Sequence, residues 1–159
     1  MSTRLLLVEV GAELFALPVA DVLEAVDRPV VAPLALLPRG VAGQCAHRER
    51  LLTVLDAGVL FGVPRAGADG RVDDASVAAK VRGTLLVIDA DAERFGLLVN
   101  DVIDITEADA KAWRAVPATS APDGRMLRAL LALEQGLAAL VDMDALRAAA
   151  LSLLTTEVA

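Results

Sequence analysis

Two short apolar runs open the chain, over residues 4–10 and 13–17, and they meet at Gly11-Ala12. That pattern predicts two strands joined by a two-residue turn. Val19, Val22, Leu23 and Val26 then recur at i, i+3, i+4 and i+7, the spacing that lays one stripe of a helix on a core. With Pro18 acceptable in a first turn, a short helix is expected there, stopped by Arg28-Pro29. Val30 to Leu37, broken by prolines, reads as an irregular edge strand, and residues 39–47 and 50–55 as a second hairpin. Strands resume at 83–90 and 93–99. Residues 101–106 fit a strand or a helical turn, because Val102, Ile103 and Ile105 satisfy both periods. Ala115 to Arg125 carries Pro117, Pro122 and Asp123-Gly124 and reads as a loop. A hairpin over 126–133 and 137–142 follows. The last segment, 144–157, places Leu146, Ala150, Leu153 and Leu154 on one helical stripe, with Asp144 as a candidate cap.

The pattern also repeats. Phe15-Ala16-Leu17-Pro18-Val19-Ala20-Asp21-Val22 returns as Phe95-Gly96-Leu97-Leu98-Val99-Asn100-Asp101-Val102, with Leu5, Leu6, Ala12 and Glu13 answered by Leu85, Leu86, Ala92 and Glu93. Leu51 to Asp56 is echoed by Leu137 to Asp142. A repeat of this length marks a duplicated module, with approximate halves 1–62 and 83–142. Between them, residues 63–82 collect Gly67, Gly70, Asp69, Asp73 and Asp74 and read as a linker. About five short strands per half predict two small closed barrels, since closure removes sheet edges that invite aggregation.

Composition narrows the function. At 159 residues the chain can bury a real core. Its apolar fraction of 56% exceeds the roughly 45–50% of ordinary globular domains, so some apolar surface is left for partners. A formal charge of −7 argues against nucleic acid, whose phosphates demand clustered cations. The most apolar stretches are cut by Glu9, Glu13, Asp21, Asp142 and Asp144 before the about 20 residues of a membrane span, so no membrane insertion is expected. A single cysteine, Cys45, fits a reducing cytoplasm.

Candidate chemistry is sparse. Cys45 and His47 point the same way on a strand, which admits a Cys/His-dependent enzyme as a remote alternative. Zinc usually takes four ligands, and nucleophilic catalysis needs a third orienting group and oxyanion donors; the chain has one Cys, one His and only Glu49 beside them. Gly40-Val41-Ala42-Gly43 lacks the further Gly and Lys of a phosphate loop. Trp113, the sole tryptophan, packs a barrel end or anchors an interface. A small-ligand barrel would need a closed cavity of ~300 Å³ or more.

Several weak motifs agree on one family. Phe15-Ala16-Leu17-Pro18 followed by Val22-Leu23-Glu24 resembles the family's aromatic strand and V-x-E. Pro38, Gly40-Val41-Ala42-Gly43 and Val54-Leu55-Asp56 resemble its next stretch, Gly96 to Val102 its G-L-L-V-D-x-V, and Leu140 to Leu146 its closing L-x-D-x-x-x-L. The chain thus resembles the CheW-like domain, the coupling module of bacterial chemotaxis. One hairpin departs: where the family reads N-L-R-G, this chain has Ala46-His47-Arg48-Glu49. The resemblance implies a mainly β fold of two five-stranded SH3-like β-barrels, a cytoplasmic scaffold, no catalysis and no cofactor. It implies binding to a CheA-type histidine kinase through Val22 and Glu24, and to the cytoplasmic tip of a methyl-accepting chemoreceptor through Arg48 and Val41. An adaptor of a non-chemotaxis kinase pathway, such as twitching motility, is the alternative. The lost hairpin glycine implies a rebuilt turn, because other residues resist positive φ.

Overall fold

The computed structural model describes residues 2–33, 37–63, 79–91, 93–116 and 126–156. Its elements in chain order are β1 (Thr3–Val10), β2 (Glu13–Pro18), a 3-10 turn (Val19–Asp21), β3 (Val22–Asp27), β4 (Val30–Val31), β5 (Val41–His47), β6 (Arg50–Asp56) and α1 (Ala57–Phe61). The two-residue β7 (Ala79–Lys80) falls inside the expected linker, and after it come β8 (Thr84–Ala90), β9 (Glu93–Val99), β10 (Asp101–Ala108), a 3-10 turn (Ala110–Ala112), β11 (Trp113–Arg114), β12 (Leu127–Leu133), β13 (Gly136–Val141) and α2 (Met143–Thr156). Most of the linker, residues 64–78, and of the proline loop, residues 117–125, lie outside the described residues.

The expected helix over Val19 to Val26 is a strand after one 3-10 turn. Three of its four apolar positions are valines, whose branched Cβ suits a pleated surface, and β8, rich in Leu, Val and Ile, supplies a pairing partner from Val22↔Ile88 to Asp27↔Thr84. The ambiguous segment after Asn100 is likewise a strand, β10, paired with β1.

Two closed barrels are not what forms. The first sheet runs β10-β1-β2-β13-β12-β11 and the second β3-β8-β9-β6-β5, and neither closes on itself. Each draws strands from both halves of the sequence. Hairpin β1–β2 takes β13 in parallel beside β2 and β10 on its other edge; hairpin β8–β9 takes β6 in parallel and β3 in the same two places. The chain crosses between sheets at the turn Pro18 to Asp21, so a local strand pattern is satisfied while its partners come from the other half.

Exchange of strands explains the high apolar content. Central strands are covered on both faces, which requires continuous rather than alternating apolar runs. Leu5 and Leu7 enter one core on the outer face of the first sheet, with Leu131 and Leu140. Leu6 and Val8 face the other way, into a central core with Phe15, Phe61, Leu86, Ile88, Phe95 and Leu97. Leu85 and Leu98 turn to a third core with Val31, Cys45 and Val54.

Both helices begin at an aspartate that follows an apolar strand. Asp56 accepts from the Gly58 and Val59 amides, at 2.8 and 3.4 Å, and Asp142 from the Ala145 amide at 3.1 Å, which satisfies donors a helix start leaves unpaired. The cap of α2 is therefore Asp142 and not Asp144. Helix α2 is pinned by Arg147, which donates to Asp21 at 2.5 Å and to the Asp89 carbonyl at 3.0 Å. No helix among the described residues is long and apolar enough to cross a membrane.

Candidate functional site

Strands β3 and β5 are the two outer edges of the second sheet, yet a side-chain tie joins them. Glu24 Oε2 of β3 accepts from His47 Nε2 at 2.6 Å and from Arg48 Nε at 3.1 Å. The sheet curls until its edges meet through a carboxylate where no backbone ladder closes it. Arg48 foremost, and then His47, hold the Glu24 carboxyl below the usual carboxylate range, since both favour its charged form. A depressed pKa contributes stability above the unfolded value and loses it as pH falls through the folded one. The tie therefore persists at neutral pH and opens in acid.

The Arg48 guanidinium stands out in solvent, its side chain 72% exposed, while His47 is only 12% exposed. Their turn is built without glycine. Arg48 and Glu49 both take positive φ, 46° and 65°, between the paired residues His47 and Arg50, as a two-residue hairpin of matching twist demands. This left-handed geometry is costly for non-glycine residues, and it rebuilds the turn that the missing glycine left open. Glu49→Gly should relieve it and raise stability by up to about 1 kcal/mol, read as a higher urea midpoint; a lower midpoint would show that Glu49 is held there by contacts worth more than the strain.

Val22 and Glu24 occupy one strand but differ in surroundings. Pairing shifts between them, Val22 opposing Ile88 and Glu24 opposing Val87, so Leu23 is the extra residue of a β-bulge. A bulge at a sheet edge re-aims a side chain, and Leu23 is 48% exposed. Val22 is half-buried against the central core. Val41 is buried in that core. Gly43, two residues on, approaches the backbone so closely that a Cβ would collide with the Ala32 carbonyl oxygen, which explains glycine at the end of Gly40-Val41-Ala42-Gly43. Leu51, one residue past Arg50, is 70% exposed.

The geometry thus joins Glu24 to Arg48 and adds His47, Leu23 and Leu51, while Val22 and Val41 pack on the central core, Val41 at the end of β5 away from the turn. In the sequence, His47 reads with Cys45, Leu23 with a helical stripe and Leu51 with a strand, none of them as part of a site with Glu24. A usable signal was present: the repeat keeps an aliphatic residue at Leu23 and Ile103 and again at Leu51 and Leu137.

Nucleophilic chemistry finds no support at Cys45. Its thiol is buried, contacts the Ala46 carbonyl at 3.5 Å, and has its pKa raised by that burial, whereas a reactive cysteine needs thiolate. His47 is committed to Glu24. No group of three or more metal-ligating side chains is assembled among the described residues. A cleft of about 240 Å³ is lined by Leu5, Asp21, Trp113, Arg128, Met143 and Arg147, among others, below the ~300 Å³ at which small-molecule sites begin. There Trp113 packs against the outer core of the first sheet, with Arg128 5.3 Å over its ring.

Comparison with known proteins places this arrangement. A search of curated protein sequences finds no match. Among solved structures the chain is similar to the scaffolding protein TtCheW from Thermoanaerobacter tengcongensis, with 17% identity, 90% of this chain and 86% of that one covered, and a TM-score of 0.74. At that identity the likeness is one of fold. The CheW-like domain model matches residues 4–150, a span that includes both sheets, the tie and most of α2. With strands, caps and hairpins all falling inside that match, the chain belongs to the CheW-like domain family, whose members are non-enzymatic scaffolds of chemotaxis-type signalling.

Proposed function

We propose that this chain bridges a CheA-type histidine kinase to the cytoplasmic tip of a methyl-accepting chemoreceptor, in the cytoplasm, with no cofactor. The kinase meets the β3 edge, where Leu23 and Glu24 face out over Val22. The receptor meets the β5–β6 turn, where Arg48 projects; Val41, nominated with it, lies at the opposite end of β5. The observation that carries this reading is the contact between Glu24 and Arg48: the positions nominated for the two partners share one carboxylate, which gives a scaffold a physical link between its two loads. An exposed guanidinium with a planar fork of donors suits a carboxylate on a receptor helix.

Arg48→Ala tests the assignment. Receptor affinity should fall about tenfold, in the range of a moderate interface hot spot. Kinase affinity should change less than about threefold, because His47 still holds Glu24, and a truncated exposed residue moves stability little. Titrating parent and variant against a receptor tip and a kinase regulatory domain in parallel reads both. Equal receptor affinities would remove Arg48 from the receptor site.

A further inference from the structure

Strand β3 is the outer strand of its sheet, and its ladder partner among the described residues is β8 alone. The ladder begins with Val22 opposite Ile88, and the bulge at Leu23 interrupts it directly afterwards. A strand end with so few backbone bonds is where local opening costs least. Here a cation from another element closes that end. Arg147 of α2 donates through Nη2 to Asp21, the residue before β3, at 2.5 Å, and through Nε to the carbonyl of Asp89, the residue after Ile88, at 3.0 Å. One guanidinium therefore joins both strands of the ladder just beyond their terminal pair. The contact is partly withdrawn from water, with the Arg147 side chain 28% and Asp21 27% exposed. It is also fixed from behind, because Leu146 and Ala150 of the same helix are fully buried in the central core.

We infer that Arg147 is a positioning residue for the kinase edge: by clamping the open end of the β3–β8 ladder it fixes where the bulged Leu23 stands. Glu24, on the other side of Leu23, is held by His47 and Arg48. The exposed leucine is thus bracketed by two charged restraints, one on Asp21 and one on Glu24. A side chain whose backbone already has its docked geometry avoids the ordering cost that binding otherwise carries. The residue type matters, because a planar fork of donors reaches a carboxylate and a carbonyl together in fixed geometry, whereas an ammonium acts as a point charge. The inference rests on the reading of β3 as the kinase edge and adds to it a residue that reading does not contain.

Amide hydrogen exchange on the free chain and titration against a kinase regulatory domain, made on the same variants, test this. Arg147→Ala should speed exchange in β3 about tenfold, leave the β12–β13 hairpin at the parent rate, and lower kinase affinity about tenfold. A merely structural role would raise exchange across the molecule, so the localisation separates positioning from folding. Because the exchange is read without kinase, it also separates positioning from direct contact by Arg147. Asp21→Asn keeps the Asp89 bond, so it should move both readouts in the same direction by less, and it carries the test if Arg147→Ala fails to fold. Arg147→Lys should recover part of each loss, through its charge toward Asp21. Parent exchange rates in β3 of the variants, exchange raised equally in β3 and in the β12–β13 hairpin, or kinase affinity kept by Arg147→Ala while Leu23→Asp loses it, would each overturn the inference. Kinase affinity kept by Leu23→Asp would instead overturn the reading of β3 as the kinase edge, and the positioning role with it, whatever the exchange rates.

Discussion

Phe15→Ala should cost about 3–5 kcal/mol of stability, the toll for emptying a large aromatic site in a packed core. Phe15 is fully buried and its ring stacks on Phe61 with centroids 4.7 Å apart. It lies on β2, at the middle of the first sheet, and faces a core lined from the other side by Leu86, Ile88, Phe95 and Leu97 of the second. That position fills the space between sheets, so the loss is one of sheet-on-sheet packing and not of local strand structure. Domains of this size hold only about 5–15 kcal/mol, so the variant should be partly unfolded near body temperature. Its repeat equivalent, Phe95, is equally buried in the same core and should show a similar loss. Urea denaturation of both variants checks this through the midpoint at unchanged slope; a loss below about 1 kcal/mol would mean that the two sheets do not pack through these rings.

Leu23→Asp should weaken kinase binding by about 2 kcal/mol, roughly thirtyfold, while leaving the melting temperature nearly where it was. Leu23 is held out by its bulge and half exposed, so a carboxylate there costs the fold little. At a docked interface the same carboxylate is stripped of water with no partner, which costs much more. Val22→Asp, one residue earlier, is the contrast: its side chain packs on the central core, so the charge should cost stability first. If instead Leu23→Asp melts early and Val22→Asp does not, the bulge has been placed one residue out of register.

Hairpins were legible because their cause is local. Gly11-Ala12 between two apolar runs is a turn whose strands pair with each other, and the runs 83–90 and 93–99 likewise pair as neighbours. The misread strand β3 shows the limit, since Val19, Val22, Leu23 and Val26 meet the helical period by position alone, and only the presence of β8 beside them decides for a strand. Barrel closure failed for a related reason. The parallel pairings of β2 with β13 and of β6 with β9 join segments far apart in the chain, and a repeat shows that two modules exist without showing that they trade strands. At the site, family resemblance pointed to Glu24 and Arg48 separately, whereas their bond depends on the curl of a sheet. In the sequence His47 reads with Cys45 on one strand, whereas its partner Glu24 sits twenty-three positions away.

A scaffold differs from a simple kinase ligand in holding two loads at once, and one measurement addresses that directly. Analytical size exclusion with mass detection on the chain, a kinase regulatory domain and a receptor tip should yield a species containing all three, with kinase and receptor fragments failing to associate at the same concentrations when this chain is left out. Two binary complexes that exclude each other, with no ternary species at any ratio, would contradict the account.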